Sequence, residues 1–179
     1  TLFLCDAGVS PLCFFFFFRF LLSAERFEHS SSPIITDPSF PFRMKNIAII
    51  GAGAAGCFCA QRLKELRPEA KVTVFESHSK PLAKVSVTGG GRCNLTNSAP
   101  IMDFIGKTPG NGKFLYSAYE AFSNIDLLEL LHGYGLVTKV ERGGRVFPAS
   151  DDSQEVRHLF MRLLKEKKVE LHLEEPVSH

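Results

Sequence analysis

Gly51, Gly53 and Gly56 stand in the spacing GxGxxG, and Glu76 follows 20 residues after the last of them. These residue types at this spacing suit the capture of a dinucleotide. Gly51 permits a tight turn out of a strand. Gly53 lets the backbone approach a diphosphate with no side chain in the way. Gly56 lets the following helix pack closely on its strands. The helix N-terminus offers N–H groups and partial positive charge to that diphosphate. A carboxylate at Glu76 accepts hydrogen bonds from both ribose hydroxyls and repels a 2′-phosphate, so FAD or NAD fits better than NADP.

A GxGxxG alone is weak, because glycine triplets arise by chance in loops. Here the surrounding elements agree with it. Ile47–Ile50 is a short apolar run rich in β-branched residues, which predicts a parallel strand covered on both faces. Cys57 to Arg67 reads as a helix with Ala55, Cys59, Leu63 and Leu66 on one stripe, ended by Pro68. Lys71–Glu76 reads as the second strand of a right-handed βαβ unit.

A second cluster lies in the long connection from Ser77 to Asn97. Lys84 precedes Thr88-Gly89-Gly90-Gly91-Arg92-Cys93-Asn94. Three successive glycines can wrap around a ligand and present N–H groups. Arg92 could neutralise phosphate, and Asn94 carries donors and an acceptor. A flexible surface loop with an incidental cation is the alternative. Beyond it, residues 113–122 and 125–134 read as helices, the second starting near Asn124 or Asp126. Leu136–Glu141 and Arg145–Phe147 read as strands joined at Gly143–Gly144. Asp152 with Glu155 resembles a capping box, and Val156, Leu159, Phe160, Leu163 and Leu164 follow at helical spacing. Val169–Leu173 reads as a further strand.

Net charge is +2 with lysine and arginine scattered, which argues against a nucleic-acid partner. The five cysteines form no CxxC pair, and the six histidines form no ligand cluster, so neither a disulfide framework nor a metal site is expected. Cysteine usage suits a reducing, cytoplasmic setting. Residues 1–43 differ in texture, with ten of the 17 phenylalanines and no lysine. The apolar run Leu12–Leu22 is broken by Arg19 and is too short for a stable membrane span, which takes about 20 residues. We read residues 1–43 as a non-native or disordered leader, with a cleaved or membrane-associated leader as the alternative. Residues 44–179 then form the working unit.

From Met44 onward the chain resembles the N-terminal part of the BaiN-like (YhiN-type) FAD-dependent oxidoreductases, a group also labelled the aminoacetone oxidase family. Ile49 to Gly56, Val72 to Glu76, Lys84 with Thr88 to Asn97, and Gly144-Arg145-Val146-Phe147-Pro148 carry the resemblance. It implies an α/β fold, a Rossmann-like FAD-binding domain of a two-dinucleotide-binding flavoprotein, continued in the family beyond this length. It implies that Gly51, Gly53, Ala54, Ala55 and Gly56 meet the pyrophosphate and Glu76 the adenosine ribose. Lys84, Gly89, Gly90, Gly91, Arg92, Cys93 and Asn94 would line the pyrophosphate and flavin side, and Val177 would touch adenine through its backbone. The implied activity is hydride transfer between NAD(P)H, FAD and a small-molecule substrate, either reduction of an activated double bond or oxidation of an amine-like compound. No catalytic acid or base is assigned. Cys57 and Cys59 replace apolar residues of the family, and lie two apart on a helix, so they read as small hydrophobes. Cys93 has no second cysteine within sequence reach for redox work. The alternatives are a truncated, non-enzymatic nucleotide-binding module and a single-domain NAD-binding protein, which would not need TGGGRCN.

Overall fold

The structure, a computed structural model, describes residues 3–5 and 46–178. Three segments spaced along the chain form one parallel sheet with a fourth, short strand at its edge. The strands are β1 (Phe3–Cys5), β2 (Asn46–Ile50), β3 (Lys71–Glu76) and β7 (Glu170–Leu173), in the order β1-β2-β3-β7. Helix α1 (Ala54–Leu66) links β2 to β3, and helix α5 (Ser153–Glu166) leads into β7. Both connections step the same way across the sheet, and right-handed crossovers of that kind stack their helices on one face. Ile47, Ile49, Val72 and Val74 point to that face. They pack with Ala60 and Leu63 of α1 and Leu164 of α5.

The expectation that β2 is covered on both faces is corrected. Ile47 and Ile49 are buried, but Ala48 and Ile50 are half-buried. The other face carries Ala48, Thr73 and Phe75, and a cleft of about 290 Å³ runs along Asn46, Ala48, Lys71, Thr73 and Phe75. The apolar run therefore encodes one packed face among the described residues. On the outer edge of β2 the structure adds β1, with Phe3 paired to Ala48 and Cys5 to Ile50. An unpaired edge is a template for another strand. Phe3–Cys5 falls within residues 1–43, the stretch expected to be a leader. Leu12–Leu22 lies outside the described residues.

A second, antiparallel sheet follows the order β4-β6-β5, with β4 (Thr96–Asn97), β5 (Thr138–Val140) and β6 (Arg145–Pro148). The expected hairpin at Gly143–Gly144 is present, closed by Gly144 N–H donating to Glu141 O at 3.0 Å. Helices α2 (Ile101–Lys107), α3 (Tyr116–Ala121) and α4 (Asn124–Gly133) lie between β4 and β5. The helix expected over 113–122 is split, because Gly112–Leu115 forms a separate 3₁₀ turn. Its Tyr119 is buried as a core residue, whereas Tyr116 is exposed. Helix α4 starts at Asn124, as expected, and Ser123 caps it. Its hydroxyl accepts from Asp126 N–H, and the Asp126 carboxylate accepts from Ser123 N–H in return.

Helix α5 joins the two halves. Leu164 enters the core under the parallel sheet, while Val156, Leu159 and Leu163 pack with Leu131, Leu136 and Cys93. The Asp152–Glu155 capping box does not form. Asp152 accepts from Gln154 N–H at 2.8 Å, but Glu155 accepts from Ser150 Oγ.

Candidate functional site

The glycine turn leaves β2 and enters α1 with its geometry fixed from three sides. Gly51 N–H donates to Phe75 O at 2.7 Å, and Leu82 N–H donates to Ala52 O at 2.8 Å. Ala52 N–H donates to Glu76 Oε2 at 2.9 Å. Gly53 is the N-cap of α1, and no side chain caps the helix there. Helix geometry leaves the N–H groups of Ala54, Ala55 and Gly56 without intrahelical partners. The first turn holds no acidic residue, so nothing on the helix offsets its positive end. Gly56 is a packing requirement, since a Cβ there would sit 2.0 Å from the Gly51 carbonyl oxygen.

Glu76 ends β3 with its side chain only 14% exposed. Its Oε1 accepts from Ser77 Oγ at 3.2 Å and from His78 N–H at 2.9 Å, and lies 2.9 Å from His78 Nδ1. Burial works to raise its pKa. The hydrogen bonds from His78, Ala52 and Ser77 outweigh it and hold the carboxyl below the usual range. The chain leaving β7 runs along the same corner. Glu174 N–H donates to His78 O at 3.4 Å and Glu175 N–H to Glu76 O at 3.0 Å. Val177, exposed, follows two residues later. The structure thus gathers the glycine turn, Glu76 and the approach to Val177 at one corner.

The second cluster is built differently from what its residue types suggest. A 3₁₀ turn begins at Val85, after the exposed Lys84, and breaks at Thr88 and Gly89, whose backbone is not helical. Gly89, Gly90 and Gly91 have φ of 58°, 69° and 88°, a left-handed run that glycine adopts without strain. The turn is held from behind by α5. Ser153 N–H donates to Gly91 O at 3.0 Å, and Ser153 Oγ donates to Ser86 O at 3.1 Å. Arg92 pairs with Glu141 Oε1 at 2.7 Å and Asp151 Oδ1 at 3.4 Å, with its guanidinium 4.1 Å over the Phe147 ring. Lys139 and Arg145 complete the network around Glu141 and Asp151. Cys93 turns its sulfur into the core, where burial raises its pKa. Asn94 is exposed.

Cys57 and Cys59 are buried small side chains, and Cys57, Cys59 and Cys93 are free. Among the described residues no group of His, Cys, Asp and Glu is arranged to hold a metal ion. No described helix is long and apolar enough to cross a membrane. Sequence reasoning missed Ser153, Glu141 and Asp151 as partners of the glycine-rich turn. The only sequence signal was the nearby GRVFP stretch, which supplies Phe147.

Residues 45–179 match the HI0933-like protein Rossmann domain family, and the chain belongs to that family. It is 35% identical over 132 residues to the 3-dehydro-bile acid delta(4,6)-reductase of Clostridium scindens, covering 72% of this chain and 31% of that protein. It is 36% identical over 100 residues to the ribosomal RNA dihydrouridine synthase of Haemophilus influenzae, covering 55% of this chain and 24% of that protein. The synthase of the same name from Escherichia coli is 32% identical over 113 residues, covering 60% of this chain and 26% of that protein. The chain thus spans less than a third of the length of these relatives. The family and the reductase support a flavin-type oxidoreductase module with a Rossmann-like fold.

Proposed function

We propose that this chain is the nucleotide-holding part of a flavin-dependent reductase that binds the ADP half of FAD. The observation that carries this reading is the 2.9 Å hydrogen bond from Ala52 N–H to Glu76 Oε2, which sets a lowered-pKa acid against an open helix N-terminus. The donor set fits the group. Gly51, Gly53, Ala54, Ala55 and Gly56 would line the pyrophosphate, Glu76 would take the ribose, and the backbone at Val177 would reach adenine. Lys84 and the turn from Gly89 through Gly90, Gly91, Arg92 and Cys93 to Asn94 would border the flavin side. When bound, FAD supplies hydride chemistry, drawn in this reading from NAD(P)H.

The names of the relatives narrow the reaction class. One is named a 3-dehydro-bile acid delta(4,6)-reductase and another a ribosomal RNA dihydrouridine synthase, and we infer from these names the reduction of a ring carbon–carbon double bond. We favour a small conjugated ring compound, because the net charge of +2 is scattered and gives no basic stripe for RNA. Three free cysteines fit a cytoplasmic setting.

Calorimetric titration of the chain with ADP and FAD tests the reading, with Glu76→Gln as the control. Binding that weakens about tenfold in the variant supports it, and no binding of either ligand defeats it. NADH and NADPH oxidation, with a conjugated enone or a uridine-containing RNA as acceptor, then separates the two substrate classes. Tight FAD binding with no oxidation of either nicotinamide favours the rival reading, a nucleotide-binding module without activity of its own.

A further inference from the structure

We propose that Arg92 is a positioning residue, pinning the Gly89–Asn94 turn to the β5–β6 hairpin rather than binding a phosphate of the cofactor. The inference rests on the reading that this turn borders the cofactor, and it reassigns the cation within it. The guanidinium is already committed on several sides. Its Nη1 lies 2.7 Å from Glu141 Oε1 and 3.4 Å from Asp151 Oδ1. Its Nε donates to Gly89 O at 3.3 Å. One face lies on Phe147, 4.1 Å from the ring centroid.

A diphosphate arriving at Arg92 would have to displace Glu141 while standing beside two carboxylates. Like charges at such distances repel, and the Nη1 and Nε donors of Arg92 already have acceptors in Glu141, Asp151 and Gly89 O. The same carboxylates are also held by Lys139 and Arg145, so they are not free to swing away.

The pin has a definite target. Phe147 is fully buried, and a Cβ placed on Gly89 would meet its Cε1 at 2.7 Å. The ring is therefore in close contact with the Gly89 backbone and lies under the Arg92 guanidinium. Stacking and the Nε bond to Gly89 O fix the start of the left-handed run, while Ser153 fixes Gly91 from the other side. Gly90 between them has nothing within 4 Å of its Cβ position, so the held turn presents an open backbone surface. A planar, stacked fork does this work, and a lysine cannot replace it.

The experiment measures FAD affinity and hydrogen exchange of residues 85–95 in the full chain and in Arg92→Lys, Arg92→Ala and Glu141→Gln. A pin predicts that all three variants weaken FAD binding by about fivefold and speed exchange at Gly89–Asn94. It also predicts that Arg92→Ala combined with Glu141→Gln is no worse than Arg92→Ala alone. A phosphate ligand predicts the opposite sign for Glu141→Gln, because the freed guanidinium would tighten binding, and it predicts rescue by lysine. Either result overturns the proposal, as does weaker binding in Arg92→Ala with unchanged exchange. If the unaltered chain binds neither ADP nor FAD, the cofactor reading fails. The exchange arm still decides the pin, since unchanged exchange in all three variants rejects it.

Discussion

Replacing Gly56 with alanine should break both the fold and the nucleotide corner. The new Cβ would stand 2.0 Å from the Gly51 carbonyl oxygen, 3.2 Å from its carbon and 3.4 Å from Ile49 Cγ2. Real Cβ atoms essentially never approach a neighbour within 3.0 Å, so helix and turn must part by about 1 Å. Neither side can yield cheaply. Gly51 is tied to Phe75 O, Ala52 is tied to Glu76 and Leu82, and α1 is buried along most of its length. Overpacking against rigid backbone costs about 3 kcal/mol, a large share of the ~5–15 kcal/mol that holds a domain together. That lowers the melting temperature by roughly 10 °C. The same displacement pulls the N–H groups of α1 away from a bound diphosphate, so ADP affinity should fall at least about tenfold. Differential scanning fluorimetry and calorimetric ADP titration measure the two effects. Gly90→Ala is the control: no atom lies within 4 Å of its Cβ position, and only its φ of 69° costs energy, about 1–2 kcal/mol. An alanine at 56 with unaltered melting and ADP affinity, or one no worse than alanine at 90, would refute the reasoning.

Glu76 should keep its hold on a ribose across the neutral range. Its folded pKa is lowered, so its contribution is complete above the unfolded carboxylate value of about 4.3 and is lost as pH falls through the lower folded value. FAD, whose pyrophosphate does not titrate in this range, should bind with flat affinity from about pH 8 to about pH 5, and a decline already under way near pH 6.5 would show that a group of the protein other than Glu76 controls binding. Alkylation at pH 8 followed by peptide mapping should spare Cys59, whose thiol burial pushes up to about 12, and Cys93, also raised by burial, until denaturant is added. Rapid labelling of Cys93 in the native protein would contradict its place in the core. Tyr134→Phe removes a hydroxyl that donates to Glu65 Oε1 at 2.5 Å and accepts from the fully buried Gln61. Urea denaturation should show a loss of about 1–2 kcal/mol, and a loss below about 0.3 kcal/mol would mean that the Gln61–Glu65–Tyr134 network does not tie α1 to α4.

What could be read from the sequence was whatever is encoded locally. The turn from Gly51 to Gly56 is specified by five consecutive steps of backbone, and the structure shows Gly51 making the turn with a φ of 99° and Gly56 admitting the close packing. The amphipathic α5 and the Gly143–Gly144 hairpin were legible for the same reason. Misreadings arose where distant residues decide. Ile47–Ile50 is apolar throughout, yet only alternate residues are buried, because α1 and α5 stack on one face. The partners of Arg92 were likewise illegible, because Glu141 and Asp151 lie 49 and 59 residues away. Cys93 sits in a glycine-rich turn, yet its φ of 63° belongs to a bend that turns the sulfur inward to Leu131 and Leu159. Asp152 and Glu155 have capping-box spacing, but Ser150 intercepts Glu155.

The candidate site is a property of strand register more than of any one segment. In a parallel sheet, consecutive strands deliver their C-terminal ends to the same edge, and ligands of open α/β sheets bind there. Here Ile50 pairs with Phe75, and Glu76 pairs with Leu173. Those pairings bring the start of α1, the Glu76 carboxylate and the tail toward Val177 to one corner. A slip of two residues between β2 and β3 would keep every inward side chain inward, so the core would tolerate it. It would also carry Glu76 about 7 Å along the strand, out of reach of Ala52 N–H. The core therefore fixes which face is buried but not the register that makes a site. The bonds from Gly51 N–H to Phe75 O and from Ala52 N–H to Glu76 Oε2 supply that missing information. The acid that would hold a ribose is thus also a register lock. Ala52 N–H donates to a carboxylate in a half-buried corner, so exchange of that amide should speed in Glu76→Gln even with no nucleotide present. Unchanged exchange at Ala52 would mean that the glycine turn holds its place without the acid, and that Glu76 serves the ligand alone.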